Sequence, residues 1–202
     1  RISTGPVVTF RATDYLLDSA DHPAAVPLLS IHNVRPFATV WPVVKGSKPI
    51  ALKATNGAAS LVLPAQNYVV LRRFSAKEEQ RRLTASPYLP TTDERRRSVA
   101  LENHINYVTH TRRELSEDEV RGLVALFNSA LLDRYFRVVS GNTQVNATEI
   151  RAMPFPDLRT ITGIGKAVVN LDWNDRNEIE LRVLDVLGVP LSLLGAASEA
   201  VS

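Results

Sequence analysis

FNSALLDRYFRVVSGNTQVNATEIRAMPFP, residues Phe127 to Pro156, decides how the rest of the chain is read. Its first half continues an apolar stripe that begins upstream, where Ser116 and Glu119 in SEDE have the spacing of a capping box. Val120, Leu123, Val124, Phe127, Leu131 and Tyr135 recur at helical spacing. The pattern predicts one amphipathic helix of about five turns, closing near Ser140 and Gly141. Phe127, Leu131, Tyr135 and Phe136 are read as core, because most of them continue that stripe. Next comes a polar run, Asn142, Thr143, Gln144 and Asn146, whose side chains both donate and accept hydrogen bonds. Asn146 and Glu149 then stand at capping spacing, which predicts a short helix from Thr148 to Met153 stopped by Pro154. A polar run fixed between two helices suits a surface that reads another polar surface.

Upstream, the chain reads as strands. PVVTF, VPLLSI, FATVW and NYVVLRRF are short, rich in β-branched and aromatic residues, and separated by Pro, Asn, Gly or Asp. Prolines at 27, 36, 42 and 49 confine some of them to sheet edges. In ENHINYVT the alternation sets Glu102, His104 and Asn106 on one face and Ile105 and Tyr107 on the other. The expected class is α/β in the α+β sense: a twisted mixed β-sheet with a long amphipathic helix over 1–157, and a small C-terminal helical extension over 158–202. Residues 170–202 carry six acidic and two basic side chains, so this extension should pack away from any nucleic acid. It should hold a helix opened by Asn174 or Asp175 and closed by Gly188. ITGIGKAVV, Ile161 to Val169, has the look of the glycine turn of a helix-hairpin-helix phosphate clamp. Leu158 to Thr162 is too short to supply that motif's first helix, so a structural turn is expected there.

Charge is unevenly placed. The net charge is +3, yet residues 72–97 hold eight Arg or Lys against four Asp or Glu, so the remainder sums to −1. Nineteen of the 24 cations are Arg, whose planar fork suits phosphates and guanine edges. Arg72, Arg73, Lys77, Arg81 and Arg82 are therefore candidate phosphate contacts, which give affinity and register rather than sequence choice. The competing reading is surface pairing with Glu78 and Glu79, at most about 1 kcal/mol each; two acids cannot neutralise five cations. Arg95, Arg96 and Arg97 are expected in a flexible loop. His104, Asn106, Asn142, Thr143, Gln144 and Asn146 complete the candidate DNA-contacting set. A carboxamide can bond adenine N6 and N7 together, while Gln144 could equally satisfy the turn and Asn146 could serve as an N-cap.

Other chemistries find no support in the sequence. There is no cysteine, and His22, His32, His104 and His110 have no zinc-type spacing, so no metal site is expected. The lysines are preceded two positions earlier by Val43, Gly46, Ala51, Ser75 and Ile164, so the acid-x-Lys element of metal-dependent nucleases is missing. No nucleophile elbow occurs. No apolar run reaches the ~18 residues of a membrane span, and a cytoplasmic protein without membrane partners is expected. The chain starts at Arg1 and its single methionine is Met153, which suggests a domain cut from a longer protein.

The stretch around Gln144 resembles the C-terminal specificity domain of adenine-N6 DNA methyltransferases from restriction-modification systems, the TaqI-like family. The G-x-T-Q-x-N-A-T-like run and the P-x-P ending are matched by Gly141, Thr143, Gln144, Asn146, Ala147, Thr148, Pro154 and Pro156. STGPVV (Ser3 to Val8), LRRFSAKEEQRR (Leu71 to Arg82) and ENHINY (Glu102 to Tyr107) extend the likeness over most of 1–157. Specificity subunits of type I restriction enzymes have a related ending and are the nearest alternative. The resemblance implies a target recognition domain whose partners are double-stranded DNA and an upstream methyltransferase domain of the same parent chain. S-adenosylmethionine would bind that upstream domain, with no cofactor and no catalytic residue in this chain. The family's catalytic tetrapeptide has consecutive prolines before an aromatic, and no Pro-Pro pair occurs here. A protein-interaction subunit that docks an acidic partner through the basic segment is the alternative from another class.

Overall fold

The structure, a computed structural model, describes residues 1–46, 48–76, 78–140 and 144–192. Its strands are β1 (Ile2–Thr4), β2 (Leu16–Leu17), β3 (Ala25–Leu29), β4 (Val34–Arg35), β5 (Ala38–Thr39), β6 (Ala51–Lys53), β7 (Val62–Pro64), β8 (Tyr68–Arg72), β9 (Ala85–Tyr88), β10 (Ser98–Leu101) and β11 (Ile105–Val108). Its helices are α1 (Glu117–Phe127), α2 (Ala130–Val139), α3 (Ala147–Arg151), α4 (Leu158–Val168) and α5 (Arg176–Leu187). The α+β class holds. The strands divide into an antiparallel sheet, β1-β11-β8-β9, a mixed sheet, β2-β6-β3-β10-β7, and the hairpin β4-β5.

β8 is the middle of the molecule. It carries NYVVLRRF, and Tyr68, Val69, Val70 and Leu71 are all buried, which a strand achieves only when both its faces are covered. Val69 and Leu71 pack with α1, α2 and the C-terminal helices, while Tyr68 and Val70 pack with Leu29, Val99 and Leu101 of the mixed sheet. The order is therefore helices, antiparallel sheet, mixed sheet.

The long helix predicted from Ser116 is two helices. The capping box forms as expected: Glu119 N–H donates to Ser116 Oγ at 3.2 Å and Ser116 N–H to Glu119 Oε2 at 2.8 Å. Arg113 also bonds this buried carboxylate and holds it below the usual range for a glutamate. The helix then stops because Asn128 serves as a strand partner for the edge strand β9. Its carboxamide accepts from Ala85 N at 3.2 Å and donates to Ala85 O at 2.8 Å. Ser129 restarts the chain as N-cap of α2, accepting from Leu132 N. PVVTF is likewise not a strand: Val7 makes one isolated bridge to Glu102, and Thr9–Arg11 is a 3-10 turn.

The turn expected in ITGIGKAVV is also absent, since these residues lie on and just past α4. Glycine has a different use here. A Cβ on Gly122 would stand 1.9 Å from Ile161 O, and one on Gly165 would stand 1.9 Å from Asp118 O. The two glycines let the backbones of α1 and α4 touch where any side chain would separate them. α5 matches the prediction, opened by Asp175, which accepts from Glu178 N, and closed by Gly188 at φ 65°. Ile161, Ile164, Val168, Ile179 and Val183 share one core with α1, so the C-terminal helices are built into the main body. Phe37, at the β4-β5 turn, adopts φ 64°, a strained conformation for a bulky residue. Its ring meets Trp173 edge-on at 5.3 Å and ties the hairpin to this helical layer.

The helix contact makes opposite predictions for neighbouring glycines. Gly165→Ala forces α1 and α4 apart and should destabilise the chain by about 1–3 kcal/mol or more. Gly163→Ala meets only Val186 Cγ1 at 3.6 Å and should stabilise by about 0.5–1 kcal/mol through helix propensity. Thermal melts of the two variants should shift in opposite directions; a wild-type melt for Gly165→Ala would rule out the close approach.

Candidate nucleic-acid interface

β3 and β10 run parallel, Leu28 beside Ala100 and Leu29 beside Leu101, so the loops at their C-terminal ends emerge at one edge of the molecule. After β3 comes the turn Ser30–Asn33, fixed by Ser30 N–H donating to Asn33 Oδ1 at 2.7 Å. After β10 comes Glu102–His104, and the next strand, β11, lies antiparallel to β8 with Ile105 opposite Arg72. The C-terminal end of β8 therefore arrives at the same edge, where Arg73 N–H donates to His104 O at 2.9 Å.

The polar run is strapped onto this edge. Phe74 and Gln144 form an antiparallel bridge, and Val145 N–H donates to Arg73 O at 2.7 Å. From the other side Asn106 Nδ2 donates to Val145 O at 2.7 Å, while Asn106 Oδ1 accepts from the Thr4 hydroxyl at 3.0 Å. Val145 is buried, which leaves Gln144 and Asn146 half-exposed on either side of it. Glu149 accepts from Asn146 N–H at 3.2 Å, so Asn146 opens α3 as its spacing predicted. The Phe74 ring also contacts the His104 imidazole edge-on at 5.1 Å.

Arg72, Arg73, His104, Gln144 and Asn146 are thus brought together. Arg72 Nε donates to Val34 O and Arg73 donates to Asn103 O, so both guanidinium groups are aimed by neutral carbonyls, and among the described residues neither meets a carboxylate. The ion pairs of Arg95, Arg113, Arg121, Arg137 and Arg182 lie elsewhere, in the helices or at the Asn67 end of β8. Glu79, offered by sequence as a neutralising partner, accepts from Ala76 N–H in its own turn.

Other members of the predicted set go elsewhere. Asn106 is buried, and its carboxamide is spent on the strap, so it faces the interior; alternation in ENHINYVT could not reveal that the polar face would be covered. Arg82 is 2% exposed, with Nε on Ser75 Oγ and the guanidinium 5.5 Å from the Phe136 ring. It closes the 75–82 segment from within, helped by buried Asp133, which accepts from Arg82 N and Leu83 N. Arg81 lines a separate cleft with Phe37, Asn128 and Glu180. Arg95 does not sit in a flexible loop, being fixed by Glu114 and Asn67. Lys77, Asn142 and Thr143 lie outside the described residues.

Sequence patterning gives no sign of Thr9, Ser30 and Lys48 at this edge, where with Glu102 and His104 they line a cavity of about 280 Å³. Lys48 Nζ lies 2.9 Å from His32 Nε2, and Glu102 Oε1 lies 2.8 Å from His104 Nδ1. Burial, then Lys48 and Lys45, with a contribution from Arg72, hold the His32 imidazole below its ordinary range against the pull of Glu102. Lys45, Lys48 and Arg72 therefore bear on one point. Arg11 closes the 3-10 turn that Thr9 opens, and is exposed. None of this is visible in a count along the chain, because the cations come from separate loops. Among the described residues no group of three potential metal ligands occurs, and no helix is long and apolar enough to cross a membrane.

No family model matches the chain. Over 172 residues, 83% of its length, it is 37% identical to the type II methyltransferase M.PstI of Providencia stuartii, of which the match covers 33%. Over 187 residues, 92% of its length, it is 33% identical to the type II methyltransferase M.BsuBI of Bacillus subtilis, of which the match covers 37%. The chain thus spans about a third of the length of the curated relatives it matches, and its likeness is to that portion of a type II methyltransferase.

Proposed function

We propose that this chain is the target recognition portion of an adenine-N6 DNA methyltransferase of a restriction-modification system, and that it binds duplex DNA along the edge formed by Arg72, Arg73, Lys48, His104 and Gln144. The observation that carries this reading is the convergence of Arg72 and Arg73, which among the described residues meet no carboxylate, beside a strapped pair of amide side chains. Phosphates would meet Arg72, Arg73, Lys45, Lys48 and Arg11, which supplies affinity without sequence choice. Gln144, held half-exposed on a rigid strap, is the side chain placed to bond a base edge. Methyl transfer from S-adenosylmethionine would take place in a separate domain of the parent protein. Extruding the adenine costs on the order of a few kcal/mol, and a recognition surface that grips the duplex offsets it.

Among the described residues the C-terminal helices offer no comparable cluster of free cations: on α5 Arg182 is paired with Glu178, and Glu180 and Asp185 share that helix.

The 202-residue chain should bind short duplexes with an affinity that falls steeply as salt rises. By fluorescence anisotropy, Arg73→Glu and Lys48→Glu should each weaken binding to all sequences by about tenfold. Arg182→Glu on α5 should change it less than about twofold. Equal losses for all three variants would exclude a localised interface.

Gln144 and Asn106 separate reading from framework. Asn106→Ala leaves the Thr4 hydroxyl and Val145 O without partners and should cost about 1–3 kcal/mol in urea unfolding. Gln144→Ala should stay within about 0.5 kcal/mol of wild type, yet lose about 1–3 kcal/mol on a site enriched by the chain from random-sequence duplexes. Full site preference in Gln144→Ala would remove it from the reading set.

A further inference from the structure

Phe10 is 74% exposed, and no aromatic among the described residues is more so. Single apolar residues on a surface are ordinary, but this one is held out by the backbone. Val7 and Ala12 on either side are buried in the core of the mixed sheet. The turn between them is hydrogen-bonded, Arg11 N–H to Val8 O at 2.9 Å and Ala12 N–H to Thr9 O at 3.1 Å. With both ends anchored, the middle residue has only solvent to face. The segment leading to it is fixed as well: Val7 N–H donates to Leu101 O and Asn103 N–H to Val7 O, and a Cβ on Gly5 would collide with Glu102 O.

Two neighbours give the ring a context. The Arg11 guanidinium lies 5.3 Å from its centroid, so a cation travels with the aromatic face. Thr9, the residue before it, lines the cavity shared by Lys48, Glu102 and His104. Phe10 therefore stands on the rim of the interface, one residue from its cavity and beside a charge suited to a phosphate. An exposed aromatic paired with a cation on a polyanion-binding edge matches what a stacked base requires, a flat apolar face and a charge for the backbone.

We propose that Phe10 is a wedge that stacks into the duplex at an interrupted base step while Arg11 holds the adjacent phosphate. The inference rests on the DNA-binding reading above. Insertion of an apolar side chain costs unstacking of the step it enters, and the ring would occupy the space that an extruded base leaves.

The test compares an intact short duplex with the same duplex carrying one central abasic gap, where the unstacking cost is already removed. Anisotropy with the 202-residue chain should give about tenfold tighter binding to the gapped duplex. Phe10→Ala should bring that ratio to about one while its affinity for intact duplex falls less than about threefold, and Phe10→Trp should keep the preference. Circular dichroism of each variant should match wild type, because Phe10 touches no core residue cluster. A gap preference that survives Phe10→Ala, or is missing in the wild type, overturns the wedge and leaves the DNA-binding reading standing. A wild-type chain that binds neither duplex overturns both.

Discussion

One buried carboxamide holds the candidate DNA-binding edge together. Asn106 sits in the second strand of the antiparallel sheet, takes a hydrogen from Thr4 of the first, and gives one to Val145 of the strap. Each such bond contributes about 1 kcal/mol net, but an unpartnered buried polar group costs more than a bond gains. The N-terminal strand, β11 and the Gln144 segment are therefore coupled: none can shift without stranding a partner inside. Arg73 completes the arrangement through its backbone, accepting from Val145 and donating to His104. The side chains that face outward, Arg73, His104, Gln144 and Asn146, inherit their positions from these interior bonds.

A second constraint sets the back of the sheet. Gly122 and Gly165 bring α1 and α4 into backbone contact, and Asn128 and Ser129 end α1 where β9 needs a partner. Asp133 on α2 then accepts from Arg82 N and Leu83 N, which fixes the return of the basic segment into β9. The helical layer thus positions the residues on either side of Arg73–Phe74, although it contributes no side chain to the edge itself.

Much of this was legible in the chain. Composition located β3 and β8, periodicity located α1, and capping residues located the starts of α1, α3 and α5. Where reading failed, a tertiary partner overrode a local pattern. The apolar stripe holds from Val120 to Phe127, but Asn128 bonds Ala85, forty-three residues away in sequence, and α2 restarts in a new phase that buries Leu132 and Phe136 while leaving Leu131 half-buried and Tyr135 exposed, so those two are not core. Gly163 and Gly165 look like a turn because the use of Gly165 depends on another helix. A charge count groups Arg82 with the other cations of its segment because it does not register that Ser75 and Phe136 enclose the Arg82 guanidinium. Lys48, His32 and Arg11 carry no local pattern for the converse reason: the parallel pairing of β3 with β10 gathers loops that lie far apart along the chain.

The central claim, that the edge built on Asn106 is the DNA-binding surface, is tested most directly by hydrogen–deuterium exchange of the chain with and without a short duplex at low salt. Slowed exchange should concentrate in peptides covering Thr9–Arg11, Ser30–His32, Arg73–Phe74, Glu102–His104 and Gln144–Asn146, with α4 and α5 unchanged. Protection centred on the C-terminal helices, or on the Arg95–Arg97 turn at the opposite end of β8, would contradict it.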